Sequence, residues 1–314
     1  MADRVATRDA YGNALVKLGE TNPHIVVLDA DLSKSTKTAA FSKKFPERFI
    51  QMGIAEADMM STAAGFATCG KIPFASTFAI FATGRAYDQV RNTIAYPHLN
   101  VKIAATHAGI TVGEDGGSHQ SIEDIALMRG IPGMTVLNPA DATETEKLIF
   151  AAAQYNGPVY IRLGREPVSN VFGADYQPEI GKAIRLRDGK AATIIATGIM
   201  VEKALLAADI LNQKGITVRV VNVHTIKPID AAEIIKAAWE TGAIVTAEEH
   251  STIGGLGSAV AEVVVQNHPV PIEFIGIKDR FGQSGTPAQL LEAYGMNPPH
   301  IVEAVEKVIG RKNS

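Results

Sequence analysis

Two histidines and several acids lie together in one glycine-rich segment, Thr106 to Asp124, which reads THAGITVGEDGGSHQSIED. His107 and His119 can transfer protons near neutral pH, and the carboxylate of Asp115 can accept hydrogen bonds from hydroxyl groups. Glycines let the backbone approach a ligand closely, because they carry no side chain. We therefore interpret the segment as a ligand-binding loop, with a solvated turn as the structural alternative.

A metal site is a further alternative for the two histidines of this segment. His107 and His119 are twelve residues apart. They have neither a companion cysteine nor the spacing of known zinc motifs. The sequence therefore predicts no metal ligand in this chain.

A second polar cluster occupies Gln51 to Met60, QMGIAEADMM, where two acids open an alanine-rich helical stretch. Acids in the first turn of a helix interact favourably with the positive end of the helix dipole. This purely structural role is the simpler interpretation of Asp58. Spacing alone gives the same interpretation for Glu56.

A third cluster, Pro73 to Phe81, reads PFASTFAIF and is rich in aromatic residues. Its composition predicts a core strand or the start of a helix. Aromatic side chains in such a segment usually serve packing, so composition alone assigns Phe74, Phe78 and Phe81 to the core.

Short β-rich runs alternate with helical stretches, a pattern typical of α/β proteins with parallel sheets. The predicted strands are the continuous apolar runs 25–29, 101–106, 135–138, 159–163, 192–197, 217–222, 243–247 and 272–275. The predicted helices are 10–21, 55–69, 142–156, 201–214, 230–241 and 258–266. The fold class is therefore α/β with two domains, each a mainly parallel sheet flanked by helices.

The domain boundary is predicted near residue 180, inside the weakly periodic stretch Asn170 to Gly189. This gives domains of residues 1–180 and 181–314. Most of the polar clusters lie in the first domain, so the ligand chemistry is predicted there. The histidines of the second domain are expected to be structural or surface residues: His224, His250 and His268.

The composition is that of an ordinary globular protein, with 314 residues, 46% hydrophobic and 20% charged. A net charge of −3 gives no electrostatic reason to expect nucleic acid or an anionic membrane as partner. No apolar run reaches the roughly 18 residues of a membrane span, so the cytoplasm is the default location. The single cysteine, Cys69, excludes an internal disulfide and is predicted to be a small buried residue.

In their order and spacing the clusters resemble the transketolase family, over about Ala6 to Gly310. The matching segments are GIAEADM, TFAIF, ATHAGITVGEDGGSHQSIED, NPAD and EEHSTIGGLG. The first four resemble the family's pyrimidine-binding domain, and the last resembles its C-terminal domain. The resemblance implies thiamine diphosphate as cofactor.

The resemblance assigns four positions to the cofactor. Glu56 matches the glutamate that hydrogen-bonds the aminopyrimidine ring and favours its imino tautomer. Phe78 and Phe81 match the aromatic residues that line the pyrimidine pocket. Asp31 matches an acid near the cofactor at the dimer seam.

The resemblance also assigns substrate contacts. The positions that match residues gripping a sugar phosphate are Arg8, Ser35, His107 and Arg165. Arginine suits this task, because its planar guanidinium binds phosphate through two parallel hydrogen bonds. Asp115 matches an acid that recognises a substrate hydroxyl, and His119 matches a histidine close to the reacting carbon, where it could transfer a proton.

A complete transketolase also carries a domain with a GDG motif and a later asparagine, which bind Mg²⁺ and the diphosphate. No such pair of motifs is present in this sequence. We therefore expect an N-terminal transketolase subunit as a partner chain that holds both, and an α2β2 assembly with a homodimeric core.

The expected reaction is transfer of a two-carbon ketol unit from a ketose phosphate to an aldose phosphate, in the presence of the partner. A 1-deoxyxylulose-5-phosphate synthase or a 2-oxoacid dehydrogenase beta subunit is the alternative within thiamine enzymes. Arg8 and Ser35 argue against it, because a pyruvate-type donor has no phosphate to bind. A non-catalytic binding or regulatory subunit is the alternative of another class. The presence of Glu56, His107, Asp115 and His119 argues against it.

Overall fold

The computed structural model describes residues 4–312. Its strands are β1 (Arg4–Ala6), β2 (Ile25–Asp29), β3 (Phe49–Gln51), β4 (Ile72–Phe78), β5 (Lys102–Thr106), β6 (Thr135–Leu137), β7 (Val159–Arg162), β8 (Pro167–Ser169), β9 (Ile184–Arg187), β10 (Thr193–Ala196), β11 (Arg219–Asn222), β12 (Thr225–Lys227), β13 (Ile244–Ser251) and β14 (Ile272–Ile277).

The α-helices are α1 (Thr7–Thr21), α2 (Ser33–Thr36), α3 (Ala39–Lys44), α4 (Glu56–Thr68), α5 (Asp124–Gly130), α6 (Ala142–Gln154), α7 (Met200–Gln213), α8 (Ala231–Thr241), α9 (Leu256–Asn267), α10 (Pro287–Ala293) and α11 (Pro298–Lys312). Short 3₁₀ turns occupy Pro46–Arg48 and Ile110–Val112. Two segments, Phe81–Arg85 and Gln89–Ala95, are wound as π-helix.

The first sheet has seven strands in the order β12-β6-β7-β5-β4-β2-β3. All neighbours are parallel except the edge strand β12. β2, β5 and β7 are buried along their whole length. This explains their continuous apolar character, because helices cover both faces of the sheet. One face packs on α1, α3 and α6 through a cluster that includes Tyr11 and Phe41, and the other packs on α4 through Met59 and Met60.

The second sheet has five strands in the order β14-β13-β10-β11-β9, of which only β9 is antiparallel to its neighbour. Helices α7 and α11 cover one face, where Met200, Leu211 and Ile301 belong to one apolar cluster. Helices α8 and α9 cover the other face. The predicted fold class is therefore confirmed.

The two halves of the chain are joined by more than the connecting segment. β12, from the second half, pairs antiparallel with β6 at the edge of the first sheet. Within the first half, β1 pairs antiparallel with β8 in a separate two-stranded ribbon. The boundary near residue 180 stays a prediction.

Most predicted elements agree with the structure within a few residues, but two details differ. β13 extends to Ser251 instead of ending at Ala247, because it continues to pair with β14 after a shift of register. The prediction that Cys69 is buried is wrong, since it is exposed. It lies beyond Thr68, the last residue of α4, and so is not on the helix face that packs on the sheet.

Among residues 4–312, no helix is long and apolar enough to cross a lipid bilayer. The same part of the chain contains no group of three or more histidine, cysteine or acidic side chains placed to hold a metal ion.

Candidate cofactor and substrate site

Four neighbouring strands of the first sheet, β2, β4, β5 and β7, deliver their polar residues to one edge. Phe78 and Thr106 pair directly at the ends of β4 and β5, so the residues after them start side by side. Parallel sheets place ligand sites beyond the carboxyl ends of their strands. The residues predicted to act on a ligand follow these ends or lie close to them in α1 and α4.

Four rings are in contact at this edge. Phe78 and Phe81 lie nearly parallel, with ring centroids 5.8 Å apart. The imidazole of His107 stacks on Phe78 at 3.8 Å, and His119 meets Phe81 edge-on at 5.5 Å. The two phenylalanines retain only 7% and 9% of their surface exposure. They form an apolar wall that suits a flat heterocycle.

The π-helical segment Phe81–Arg85 determines what stands beside this wall. Such wide turns are rare and are frequent at functional sites. Here the turn places the guanidinium of Arg85 over the Phe81 ring, 4.0 Å from its centroid. Arg85 was not predicted to be part of the site. Its position four residues after Phe81, on the same side of a helical turn, is the signal that could have identified it.

Glu56 is the first residue of α4 and is only 5% exposed. Arg85 donates a hydrogen bond from Nη1 to Glu56 Oε1 at 3.1 Å. The other oxygen, Oε2, accepts no hydrogen bond from residues 4–312. Glu56 thus combines a helix N-terminus, one fixed oxygen and one oxygen open to a ligand.

Arg8, in the first turn of α1, connects two of the predicted substrate residues. Its Nη1 donates to the carbonyl oxygen of Ser35 at 3.2 Å and lies 2.9 Å from His107 Nε2. A guanidinium can only donate, so Nε2 must be the acceptor in this pair. The proton of the neutral ring is then on Nδ1, which lies 2.8 Å from Thr106 Oγ1 and donates to it.

His107 is held in its neutral form. Burial lowers its pKa to about 3, and the positive charges of Arg8, Arg165 and Lys37 act in the same direction. Its backbone has a φ of +59°, which is uncommon for a residue with a side chain. Strain of this kind often occurs at functional sites, where the surrounding structure maintains it.

The same charges make the region near Arg8 attractive to an anion. Burial lowers the pKa of Arg8; the carboxylate of Asp9 opposes this shift, and the charge of Arg165 adds to it. The Nε atom of Arg8 is buried and has no hydrogen-bond partner in the described part of the chain. Arg165 hydrogen-bonds the carbonyl of Val112 and lies 3.6 Å from Glu114.

The loop after β2 is fixed from beneath by a buried carboxylate. Asp29 Oδ2 accepts from Thr36 Oγ1 at 2.6 Å and from Thr38 Oγ1 at 2.9 Å, and Oδ1 accepts from the Leu32 amide at 2.7 Å. Burial raises the pKa of Asp29, although these hydrogen bonds oppose the shift. The loop that presents Ser35 to Arg8 is therefore well supported.

His119, which belongs to the ring cluster, is half-buried, and its Nδ1 lies 3.0 Å from Ser118 Oγ. Two other predicted residues, Asp115 and Asp31, are not brought into the cluster. Asp115 is exposed, and its side chain forms no hydrogen bond or ion pair within residues 4–312. Asp31 is also exposed and contributes its backbone N–H, which donates to Gln51 Oε1 at 2.8 Å.

The assembled residues fit part of a thiamine-type cofactor together with an anionic substrate. The parallel phenylalanine rings and the open oxygen of Glu56 suit an aminopyrimidine. The unpartnered Nε of Arg8 and the nearby Arg165 suit a phosphate or another oxyanion.

Comparison with known families agrees with this geometry. The family model described as "Transketolase, pyrimidine binding domain" matches residues 3–169. The model described as "Transketolase, C-terminal domain" matches residues 181–301.

Several proteins resemble the chain over nearly its whole length. A putative transketolase C-terminal section from Methanocaldococcus jannaschii is 51% identical over 95% of this chain and 94% of the relative. A 6-deoxy-6-sulfo-D-fructose transketolase subunit from Clostridium sp. (strain MSTE9) is 45% identical over 98% and 95%. In contrast, the mouse transketolase-like protein 2 is 40% identical over 98% of this chain but only 49% of its own length.

Solved structures give the same result. A structure described as a split gene transketolase, inactive beta4 tetramer, has a TM-score of 0.93 and 57% identity, covering 98% of this chain and 99% of that one. The transketolase of Campylobacter jejuni has a TM-score of 0.82 and 27% identity, and this chain covers 47% of it.

Proposed function

The chain belongs to the transketolase family, and from this we propose that it is one subunit of a split transketolase. The complex transfers a two-carbon ketol unit from a ketose phosphate to an aldose phosphate. The observation that carries the proposal is the continuous set of contacts from Arg8 through His107 and Phe78 to Phe81, with Glu56 joined to it through Arg85.

Thiamine diphosphate, when bound, supplies the nucleophilic carbon for cleavage and formation of carbon–carbon bonds. In this chain Glu56, Phe78 and Phe81 would hold its aminopyrimidine. Glu56 would accept a hydrogen bond from the ring through its open oxygen, and a carboxylate at this position would favour the imino tautomer. The apolar wall excludes water, which strengthens that hydrogen bond.

The substrate residues have separate tasks. Arg8 and Arg165 bind the phosphate. His107 is neutral at working pH, because its pKa is about 3, so it cannot serve as an acid. Its two ring nitrogens are hydrogen-bonded to Arg8 and Thr106, so its task is to orient the Arg8 guanidinium toward the phosphate. His119 lies beside the rings and is the proposed group for proton transfer. The remaining contacts rest on the family resemblance alone: Ser35 and Asp115 for the sugar, and Asp31 for the cofactor at the dimer seam.

The diphosphate and Mg²⁺ are proposed to be held by a partner chain, an N-terminal transketolase subunit, in an α2β2 complex with a homodimeric core. Two observations support this. Relatives of matching length are described as a C-terminal section and as a subunit, whereas this chain covers about half of other relatives. A similar structure composed of beta chains alone is described as inactive.

A reconstitution experiment tests the proposal. The purified chain is assayed for ketol transfer alone, and then with the partner subunit, thiamine diphosphate and Mg²⁺. We expect activity only in the complete mixture. Full activity of the isolated chain would overturn the split-enzyme proposal.

A donor screen tests the substrate class. Xylulose 5-phosphate should be preferred over pyruvate, because Arg8 and Arg165 offer cationic donors to an oxyanion distant from the reacting carbon. Preference for pyruvate would favour a different thiamine enzyme.

A second candidate donor is a sulfonated ketose. One relative at 45% identity is described as acting on 6-deoxy-6-sulfo-D-fructose, and a sulfonate is also an oxyanion that guanidinium groups bind. Including this sugar in the same screen separates the two: a higher kcat/KM than for xylulose 5-phosphate would replace the phosphate assignment.

A further inference from the structure

The loop of residues 109–121, which carries Asp115 and His119, rests on the second half of the chain. The backbone N–H of Thr111 donates to Glu249 Oε1 at 2.6 Å. Gly109 has a φ of +81°, and a Cβ at this position would overlap the Glu249 carboxylate. The loop therefore approaches Glu249 as closely as a glycine backbone allows.

A second contact holds the far end of the loop. Gln120 Nε2 donates to the carbonyl oxygens of Ile110 at 3.2 Å and Gly113 at 3.1 Å, which fixes the shape of the loop. The same nitrogen also lies 2.9 Å from the carbonyl of Gln283, in the second half. The loop is thus braced internally by Gln120 and anchored to the second half at two points.

Glu249 is itself fixed from behind. Arg162, at the end of β7, donates from Nη2 to the backbone oxygen of Glu249 at 2.8 Å, and from Nε to Asp124 Oδ2 at 2.7 Å. All three residues are buried. Because the Glu249 backbone is bound in this way and its side chain is enclosed, its carboxylate has little freedom to move away from Thr111.

Burying the carboxylate of Glu249 at this position costs free energy of folding. Burial raises the pKa of its carboxyl to about 7, despite the opposing charge of Arg162 and the hydrogen bond from Thr111. An apolar residue would avoid this cost but would leave the buried amide of Thr111 without a partner. The Glu249 side chain therefore provides the hydrogen-bond acceptor that the buried Thr111 amide needs.

From these contacts we propose that Glu249 is a positioning residue that holds the loop of residues 109–121 in its working conformation, so that the C-terminal domain serves catalysis. This inference rests on the proposed function for its catalytic meaning, because only then does the loop carry groups that meet a sugar.

The adjacent residue, Glu248, offers a matched control. It is buried like Glu249, but its oxygens accept from the backbone amides of Leu256 at 2.7 Å and Gly257 at 2.8 Å, at the start of α9. It does not hydrogen-bond the loop. A substitution there removes a buried glutamate of the same domain without removing the anchor of Thr111.

Hydrogen exchange of the full-length chain tests the anchor without any assay of activity. Glu249→Ala should speed exchange in peptides covering 109–121 by about tenfold or more, since a buried hydrogen bond is lost. Glu249→Gln keeps an acceptor oxygen and should restore slow exchange, and Glu248→Ala should leave this peptide unchanged. Wild-type exchange in Glu249→Ala, or equal acceleration in Glu248→Ala, would overturn the proposal.

Kinetics of the reconstituted complex test the consequence for catalysis. Glu249→Ala should lower kcat/KM for the sugar donor about tenfold, while the KM for thiamine diphosphate stays within about twofold, because Glu56, Phe78 and Phe81 lie outside the loop. Glu249→Gln should recover most of the loss. A loosened loop with unchanged turnover, or a Gln variant as impaired as the Ala variant, would refute the positioning role.

Two provisions keep the test decisive. If Glu249→Ala does not fold, Glu249→Asp retracts the carboxylate by one methylene with the charge retained, and the same exchange and kinetic results are expected from it. If the wild-type complex shows no ketol transfer at all, the proposed function fails, while the exchange experiment still decides whether Glu249 holds the loop.

Discussion

The two parallel sheets of this molecule use their carboxyl ends in opposite ways. At the first sheet these ends lead to Phe78 and His107, and to polar atoms without a hydrogen-bond partner among the described residues, such as Oε2 of Glu56. At the second sheet they lead into contacts with the first half of the chain. Thr197, after β10, donates to the Asn138 carbonyl at 3.3 Å, and Asn222, ending β11, donates to Glu144 Oε1 at 2.8 Å.

The buried glutamates show this difference most clearly. Glu56 shares one oxygen with an arginine that is itself half-exposed, and its other oxygen is open. Glu248 uses both oxygens on backbone amides, and Glu249 anchors a loop. The same sheet edge can therefore serve as a ligand site or as a support, depending on whether its polar groups are already satisfied.

The largest expected effect comes from removing the open carboxylate. Glu56→Ala should lower kcat of the reconstituted complex by about 10³-fold, the loss typical of a group that acts in the transition state. Asp58→Ala, on the same helical turn but exposed, is the control and should leave kcat unchanged. Steady-state kinetics at saturating cofactor give both values. Similar losses in the two variants would assign Glu56 to helix stability.

The second effect concerns the buried ion pair of Arg162 and Asp124, which lies behind Glu249. Arg162→Met breaks the buried pair with Asp124 and should lower the free energy of unfolding by about 3 kcal/mol, since it leaves a buried charge uncompensated. Urea denaturation measures the change. Arg185→Met removes a partly exposed pair with Glu233 and should cost less than about 1 kcal/mol. Equal costs would mean that the ends of the two sheets are not held together through Arg162.

A third substitution tests the anion contact of the first sheet. Arg8→Met should raise the KM for xylulose 5-phosphate by about 10- to 100-fold, because a charge-assisted hydrogen bond is lost. The effect on kcat should be smaller. Arg4→Met serves as control, because Arg4 pairs with Glu202 away from the rings. An unchanged KM would remove Arg8 from the substrate site.

The smallest effect is a dependence of stability on pH. The folded pKa of His107 is about 3, against 6.5 in the unfolded chain, so the unfolded state binds the extra proton as pH falls below 6.5. Between pH 7.5 and 5.5 this residue should cost the wild type about 1 kcal/mol that a His107→Gln variant does not lose. Denaturation of both proteins at the two pH values measures the difference. Parallel losses would mean that His107 becomes protonated in the folded state.

Much of this organisation could be predicted from the sequence, because it depends on local patterns. The sequence alone predicts the apolar runs of the buried strands. It also predicts the alanine-rich helix that begins at Glu56. The site residues themselves came from the resemblance to a family. Composition alone favoured packing for Phe78 and Phe81 and a helix-dipole role for Glu56.

The remainder depends on contacts between distant segments. Glu249 approaches Thr111 across 138 positions of sequence. Both lie in segments that resemble the family, but nothing in the sequence indicates that the two residues are in contact. Arg85, at the end of a π-helical turn, contacts Glu56 across 29 positions of sequence. α4 ends at Thr68, one residue earlier than predicted, and Cys69 after it is exposed; helix ends are the least predictable part of an element.

The most direct test of the central claim is a structure of the complex of this chain and its partner, with thiamine diphosphate and Mg²⁺ bound. We expect a Glu56 oxygen within hydrogen-bonding distance of the aminopyrimidine, the ring against Phe78 and Phe81, and the diphosphate and metal ion on the partner chain. A Glu56 side chain directed away from the ring, or a diphosphate held entirely by this chain, would contradict the account.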